Sequence, residues 1–335
     1  MLVDQLNRPI RDLRISVTDR CNFRCGYCMP KDKYGRDHQF LKRNQLLSFE
    51  EIEQIARAFV ARGVVKIRLT GGEPLVRHDL ENLIRQLAAI DGLDDLSLTT
   101  NASLLSAKRA NSLRDAGIAR INISLDALDP VTFGRLNGVG YPVEDVLAGV
   151  EHARQAGFEQ IKINMVVQKG QNETSILPMV EYFKGRGMIL RFIEFMDVGN
   201  TNGWKYDEVF TSQQIKSLIE ARYPIKQLDA NYRGEVAKRW ALESGDLELG
   251  IISSVTEPFC GECSRARLSA IGELYTCLFA TSGKDLRAIL RESESPQALG
   301  NAIEQLWFER TDRYSEQRTE LGPSHQKVEM SYIGG

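Results

Sequence analysis

Six short segments that read as strands, separated by stretches with helical spacing, alternate apolar and polar residues where continuous apolar runs would be expected of a fully covered sheet. In LRISVT, Leu13, Ile15 and Val17 share one face while Arg14, Ser16 and Thr18 share the other. Val65, Ile67 and Leu69 oppose Lys66, Arg68 and Thr70, and Leu96 and Leu98 oppose Ser97, Thr99 and Asn101. Ile121, Ile123 and Leu125 oppose Asn122, Ser124 and Asp126; Ile161, Ile163 and Met165 oppose Lys162 and Asn164; the sixth segment is LRFIEFM, 190–196. Strands alternating with helices predict an α/β fold with a parallel sheet. One face of that sheet must meet water or a polar ligand. An open sheet with a solvent face would satisfy this, and so would a half-open barrel around a polar interior. Arg14, Lys66, Arg68 and Lys162 recur on the polar side, which favours the barrel and a cavity suited to an anion.

The connecting helices are marked at their ends. Ser48 caps a helix with Glu51 reaching back, Ile52, Ile55, Ala56, Phe59 and Val60 form its apolar face, and Gly63 ends it. Leu80, Leu83, Ile84 and Leu87 repeat the spacing. Further helices are predicted over 104–116, 143–156, 173–185 and 212–221, the last opened by a second capping box of Thr211 and Gln214.

All six cysteines fall into two triplets: Cys21, Cys25 and Cys28 as CxxxCxxC directly after the first strand, and Cys260, Cys263 and Cys277 near the other end. A disulfide framework suits a short secreted chain. This chain has 335 residues and shows no apolar signal segment, so a reducing cytoplasm is expected. A cubane iron-sulfur cluster has four irons and as a rule takes four cysteines, so three leave one iron open for another ligand. Zinc is the alternative, with a histidine completing a Cys3His set. The histidines are His38, His78, His152 and His325, and His38 lies ten residues past Cys28. Spacing leans towards iron-sulfur at the first triplet and leaves the second open between iron and zinc.

A net charge of −2 with 26% charged residues argues against a domain that tracks a nucleic-acid backbone. No apolar run approaches membrane-spanning length.

The loop after the second strand is Gly71-Gly72-Glu73-Pro74. Alone it reads as a tight strand-to-helix turn; beside the cysteines it reads as a ligand loop, with glycines allowing close approach and Glu73 placed to accept from an ammonium. CxxxCxxC after the first strand, Tyr27 before the last cysteine, and GGEP after the second strand together resemble the radical S-adenosylmethionine (SAM) superfamily. The resemblance implies a partial (β/α)6 TIM-like barrel in which Cys21, Cys25 and Cys28 hold a 4Fe-4S cluster whose open iron is chelated by SAM. The reduced cluster would cleave SAM to a 5'-deoxyadenosyl radical that abstracts a substrate hydrogen.

Cys260, Cys263 and Cys277 with the embedded Arg265-Ala266-Arg267, and the terminal Gly334-Gly335, resemble the GTP 3',8-cyclase family of molybdenum-cofactor biosynthesis. This implies a core over 1–228 and a C-terminal extension over 229–335 that carries a second 4Fe-4S cluster facing guanine. The resemblance assigns GTP contacts to Arg14, Arg68, Thr99, Lys162 and Arg265 to Arg267, with Arg265 and Arg267 as the catalytic candidates. It assigns SAM contacts to Tyr27, Gly72, Ser124 and Met196. The implied reaction closes C3' of GTP onto C8. Implied partners are a cyclic pyranopterin monophosphate synthase acting on the product, an electron donor and a second copy of the chain; neither nucleic acid nor membrane is expected. Gly334-Gly335 reads from sequence alone as a frayed tail, and only the resemblance brings it to the site. Two departures stand out. Many relatives have Thr-Asn-Gly where this chain has Thr100-Asn101-Ala102, so a left-handed backbone at Ala102 would be strained. Ile271 precedes Gly272 where an acidic residue is common.

Overall fold

Strands β1 (Asp12–Ser16), β2 (Lys66–Thr70), β3 (Asp95–Thr100), β4 (Arg120–Ser124), β5 (Gln160–Val167) and β6 (Ile189–Glu194) lie side by side in chain order, all parallel. They belong to a computed structural model that describes residues 2–293, 295, 297–321 and 326–334. The intervening helices are α1 (Phe49–Val60), α2 (Leu80–Ala88), α3 (Ala107–Ala116), α4 (Pro130–Leu136), α5 (Val143–Ala156) and α6 (Ile176–Phe183), and α7 (Ser212–Glu220) follows β6. Both expected capping boxes are formed. The Ser48 hydroxyl accepts from Glu51 N–H at 3.2 Å while Glu51 accepts from Ser48 N–H at 2.8 Å, and Thr211 and Gln214 repeat the exchange at 3.2 and 2.9 Å. Ile52, Ile55 and Phe59 of α1 are completely or almost completely buried, each contributing about 2 kcal/mol of apolar burial.

The polar alternation has a structural cause. Leu13, Ile15, Ile67, Leu69, Ile121, Ile163 and Phe192 pack into the core under the helices, whereas Arg14, Arg68, Thr99, Lys162 and Arg191 line one interior cavity. The core is therefore a partial barrel, and its polar face encloses a cavity.

The C-terminal section adds strands that the sequence periodicity did not announce. These are β7 (Ile225–Leu228), β8 (Lys238–Leu242), β9 (Glu248–Ile252), β10 (Arg265–Leu268), β11 (Glu273–Tyr275) and β12 (Lys284–Asp285), followed by α8 (Leu286–Glu292), α9 (Ala298–Phe308), α10 (Tyr314–Leu321) and α11 (Met330–Ile333). The sheet order is β12-β11-β10-β1-β2-β3-β4-β5-β6-β9-β8-β7. Because β10 pairs parallel with β1 and β9 pairs parallel with β6, the C-terminal section extends both edges of the six-stranded core. Glu194 at the end of β6 ties this addition in place: it accepts from the backbone N–H groups of Ser212, Val255 and Thr256 at 2.7, 2.9 and 2.9 Å. Among the described residues no helix is long and apolar enough to cross a membrane.

Candidate functional site

The cavity has two cysteine-bearing ends, and strand register separates them. Cys21, Cys25 and Cys28 lie in the loop leaving the C-terminal end of β1. Cys260 and Cys263 immediately precede β10, whose Arg265 pairs with Asp12 at the start of β1. The two seats thus stand at opposite ends of β1, roughly 15 Å apart at about 3.3 Å per residue. Arg267 pairs with Tyr275 across the antiparallel β10–β11 turn, so the returning chain descends again and brings Cys277 level with Arg265, beside Cys263.

Sulfurs in both triplets accept hydrogen bonds, although burial holds Cys21, Cys25, Cys28 and Cys277, but not Cys263, towards the neutral thiol. Cys21 Sγ accepts from Phe23 N–H at 3.4 Å, Cys277 Sγ from Phe279 N–H at 3.5 Å, and Cys263 Sγ from Arg265 Nε at 3.3 Å. Burial would raise the Cys263 thiol, yet the guanidiniums of Arg265 and Arg310 bring it down to about 6. Cys21 has less compensation; burial and Glu73 push it up to about 12, which a bound cation would reverse. N–H donors aimed at otherwise buried sulfurs suit cluster ligands. Among the described residues no three His, Cys, Asp or Glu side chains crowd tightly enough to enclose one bare ion; a cubane, bound through thiolates on separate irons, does not require it. Among the described residues the zinc alternative finds no histidine here. His38 packs between Tyr34 and Phe40, tilted to one and edge-on to the other, with centroids 4.6 Å away, His152 Nδ1 lies 2.8 Å from the Leu105 carbonyl, and His78 borders a separate cleft. His325 lies outside the described residues.

At the upper end, Gly71 and Gly72 are required by contact between loops. A Cβ on Gly71 would stand 2.6 Å from the Thr18 carbonyl oxygen, and one on Gly72 would stand 2.4 Å from that of Arg20. Gly72 lines the cavity, and its N–H donates to Thr18 O at 2.7 Å. Glu73, expected to accept from an ammonium, instead accepts from Thr100 Oγ1 at 2.6 Å, Asn101 N–H at 2.7 Å and Leu75 N–H at 3.0 Å, locking the end of β3 to this loop. Tyr27 donates to Asp126 at 2.8 Å, and burial raises Asp126 to about 6. Ser124 and Met196 line the same end.

Ala102 has φ +57, the left-handed backbone that a glycine would adopt without cost. Its N–H donates to Thr100 Oγ1 at 3.0 Å, and α5 passes so close that a Cβ on Gly149 would lie 2.4 Å from the Ala102 carbonyl oxygen. Ala102→Gly is expected to stabilise the protein by about 1 kcal/mol, read as a higher thermal midpoint. An unchanged midpoint would show that alanine is unstrained there.

Between the two ends lies a layer of cations. Arg267, Arg14 and Arg68 occupy one register across β10, β1 and β2. Burial, then Arg267 and Arg68, hold Arg14 well below its ordinary value; Arg191 is lowered to about 9 and Arg267 to about 10, chiefly by burial. Buried like charges that Asp12 only partly offsets mark a seat for a polyanion. Arg68 Nε and Thr99 Oγ1 are buried with no partner among the described residues. Ala266, assigned with its neighbours to GTP, places its methyl group in the apolar core and does not line the cavity, because alternate strand residues face opposite ways. Arg120, Arg191 and Asp126 line the cavity but were not singled out from sequence; Asp126 does occupy a polar position of the period-two pattern. Arg191 donates to Asn164 at 2.9 Å and to Asn122 at 2.7 Å.

The tail reaches this layer. Arg267 Nη1 donates to the Gly334 carbonyl. Gly334 has φ +78, and a Cβ there would stand 2.4 Å from Thr70 Cγ2. Gly335 lies outside the described residues.

Comparison with known proteins agrees with this arrangement. Residues 15–183 match the radical SAM superfamily model and residues 188–316 match Molybdenum Cofactor Synthesis C. The chain is 54% identical over 332 residues to the GTP 3',8-cyclase of Xanthomonas campestris pv. campestris (strain B100), covering 99% of this chain and 97% of the relative. It is 48% identical to that of Acidothermus cellulolyticus, covering 99% and 98% of the two chains, and 46% identical to that of Staphylococcus epidermidis, covering 100% and 99%. Streptococcus suis SuiB bound to S-adenosylmethionine shares the fold with TM-score 0.62 at 15% identity, over 96% of this chain and 76% of that one. On its sequence over nearly its whole length, the chain belongs to the GTP 3',8-cyclase family of the radical SAM superfamily.

Proposed function

We infer that this protein is a radical SAM lyase that converts GTP to 3',8-cyclo-7,8-dihydro-GTP, the first step of molybdenum-cofactor biosynthesis. One observation carries the reading at the level of residues: two cysteine triplets at opposite ends of a single cavity, with a buried layer of cations between them that Asp12 only partly offsets. Cys21, Cys25 and Cys28 would hold one 4Fe-4S cluster and Cys260, Cys263 and Cys277 a second, each with one iron free of cysteine. When bound, the first cluster and SAM supply the 5'-deoxyadenosyl radical that takes the C3' hydrogen of GTP.

The chain's own residues position and shield. Arg14, Arg68, Lys162 and Arg267 hold the triphosphate through charge-assisted bonds, and Thr99 Oγ1 and Arg68 Nε are the donors left for it. Tyr27, Gly72, Ser124 and Met196 border the SAM end. Arg265 is committed to Cys263 and tunes the second seat, whereas Arg267 is oriented by the tail carbonyl of Gly334. Hydrogen abstraction needs no general base, so catalysis rests on holding C3' at the correct distance in an enclosed site.

Lys162 gives this reading a pH test. Burial, then Arg191, Arg120 and Arg68, push its ammonium down to about 7. In the empty protein the charged form costs stability below that pH, and the cost is relieved as pH rises from about 7 towards the ordinary value of 10.5. A triphosphate restores the charge. GTP binding at about pH 8 is therefore expected to take up a proton, seen as a binding enthalpy that depends on the buffer's ionisation enthalpy. A buffer-independent enthalpy would remove Lys162 from the phosphate site.

We propose a core over 1–228 and an extension over 229–335, although β7 (225–228) pairs with β8 and so belongs to the sheet of the C-terminal section. The product is expected to pass to a separate synthase that forms cyclic pyranopterin monophosphate, and the enzyme to act in the cytoplasm as a homodimer. The deciding assay is anaerobic incubation with SAM, dithionite and GTP, read by mass spectrometry for the cyclised nucleotide. SAM cleavage without dependence on GTP would defeat the assignment.

A further inference from the structure

The CxxxCxxC loop continues into a surface segment whose charge opposes that of the whole chain. Residues 20–43 contain seven lysines and arginines against two aspartates, in a protein of net charge −2. The segment is fastened over the cysteine loop. Arg24 Nε donates to the Tyr34 carbonyl at 2.7 Å, Leu41 N–H donates to Asp19 at 2.7 Å, and the guanidiniums of Arg20 and Arg24 lie 5.6 and 5.3 Å from the Phe40 ring centroid. Lys31, Lys33, Arg36, Lys42 and Arg43 are exposed. Among the described residues the only ion pair made by these five is Lys33 with Asp32, at 3.9 Å. Gly26, next to Cys25, is also exposed, and a Cβ built on it meets nothing within 4 Å. An exposed glycine with open space around it thus adjoins the first cysteine seat.

We propose that this face is the docking surface for a small acidic one-electron carrier protein, which reduces the first cluster by way of the Gly26 opening. The proposal rests on the assignment of Cys21, Cys25 and Cys28 as cluster ligands. One electron leaves the carrier and one enters the cluster; no bond forms or breaks and no proton moves. An excess of surface cations, of which only Lys33 is paired among the described residues, steers an acidic partner and sets its orientation, while the open glycine beside Cys25 lets the partner approach the seat. Electron-transfer encounters of this kind are small and weak, so charge complementarity, and not buried area, carries them.

The test runs holoenzyme turnover with two reductants, dithionite and a reduced flavodoxin of strongly acidic surface. The K31E/K33E/R36E variant is expected to raise the half-saturating flavodoxin concentration by about tenfold or more, with dithionite-driven turnover within about twofold of the parent. Direct titration of oxidised flavodoxin onto the holoenzyme should weaken in parallel, and for the parent both measurements should weaken as salt rises through about 0.1 M. Flavodoxin-driven turnover and binding unchanged in the variant, or indifferent to salt in the parent, overturn the proposal. Loss of binding to an RNA probe with flavodoxin binding intact also overturns it. If the reversed variant does not fold, K31Q/K33Q/R36Q removes the same charges and gives the same decision. Failure of the parent to cyclise GTP with dithionite would instead sink the proposed reaction, and the flavodoxin titration would still decide the docking surface.

Discussion

Replacing Arg68 with methionine is expected to weaken GTP binding on the order of a hundredfold and, at the same time, to make the empty protein more stable. Arg68 stands in register with Arg14, and Arg14 with Arg267, inside one cavity. Burial lowers Arg68, and its Nε is buried without a partner among the described residues. Truncating one member of a buried, hydrogen-bonded charge pair costs about 2–5 kcal/mol of binding. Without the triphosphate the same guanidinium is a liability, since an apolar side chain of similar length removes like-charge repulsion and a desolvation cost, a gain of about 1 kcal/mol or more. Titration calorimetry with GTP and thermal denaturation of the empty protein read the two effects separately. Weaker binding accompanied by a lower thermal midpoint would mean that Arg68 is structural, and would remove it from the phosphate site.

Cys277→Ala should reduce iron from about eight to about four atoms per chain after anaerobic reconstitution, since each cluster holds four irons. SAM cleavage at the other end of the cavity should survive, while cyclised nucleotide disappears. The separation follows from register: Cys277 returns beside Cys263 because β11 runs antiparallel to β10, and both lie a full strand length from Cys21, Cys25 and Cys28. Losing one of three thiolates leaves the second cluster with two, too few to retain it against solvent. Iron analysis, 5'-deoxyadenosine release and mass spectrometry of the nucleotide give three independent readings. Full iron content in the variant would sink the assignment of Cys277 as a ligand.

Much of the core was legible because its determinants are local. The Ser48–Glu51 and Thr211–Gln214 boxes lie within one helical turn, and both form. The period-two pattern of Ile161 to Met165 needs no partner to be read, and β5 buries its alternate residues accordingly. The strain expected at Ala102 is a property of three adjacent residues, and the left-handed backbone is there. The C-terminal strands escaped notice because β10, β11 and β12 run for only four, three and two residues, too few for a period to emerge. Arg120 sits at the first position of its strand and Arg191 in a segment otherwise dominated by hydrophobic residues, so neither looked like part of a set.

By itself the sequence determined which side chains are chemically able to act: six cysteines in two triplets, an alternating strand code that demanded one polar face, and a glycine pair after the second strand. Those are statements about neighbours along the chain. Tertiary structure decided how they are apportioned in space. Parallel pairing of β10 with β1 set the two cysteine seats at opposite ends of one cavity and stacked Arg267, Arg14 and Arg68 into a single layer. Inward and outward alternation turned Ala266 away from that cavity, and a helix at the C-terminus carried Gly334 onto Arg267. The physical reason is that periodicity and capping are fixed by residues a few positions apart, whereas register is fixed by hydrogen bonds between segments some 250 residues apart, which no local pattern encodes.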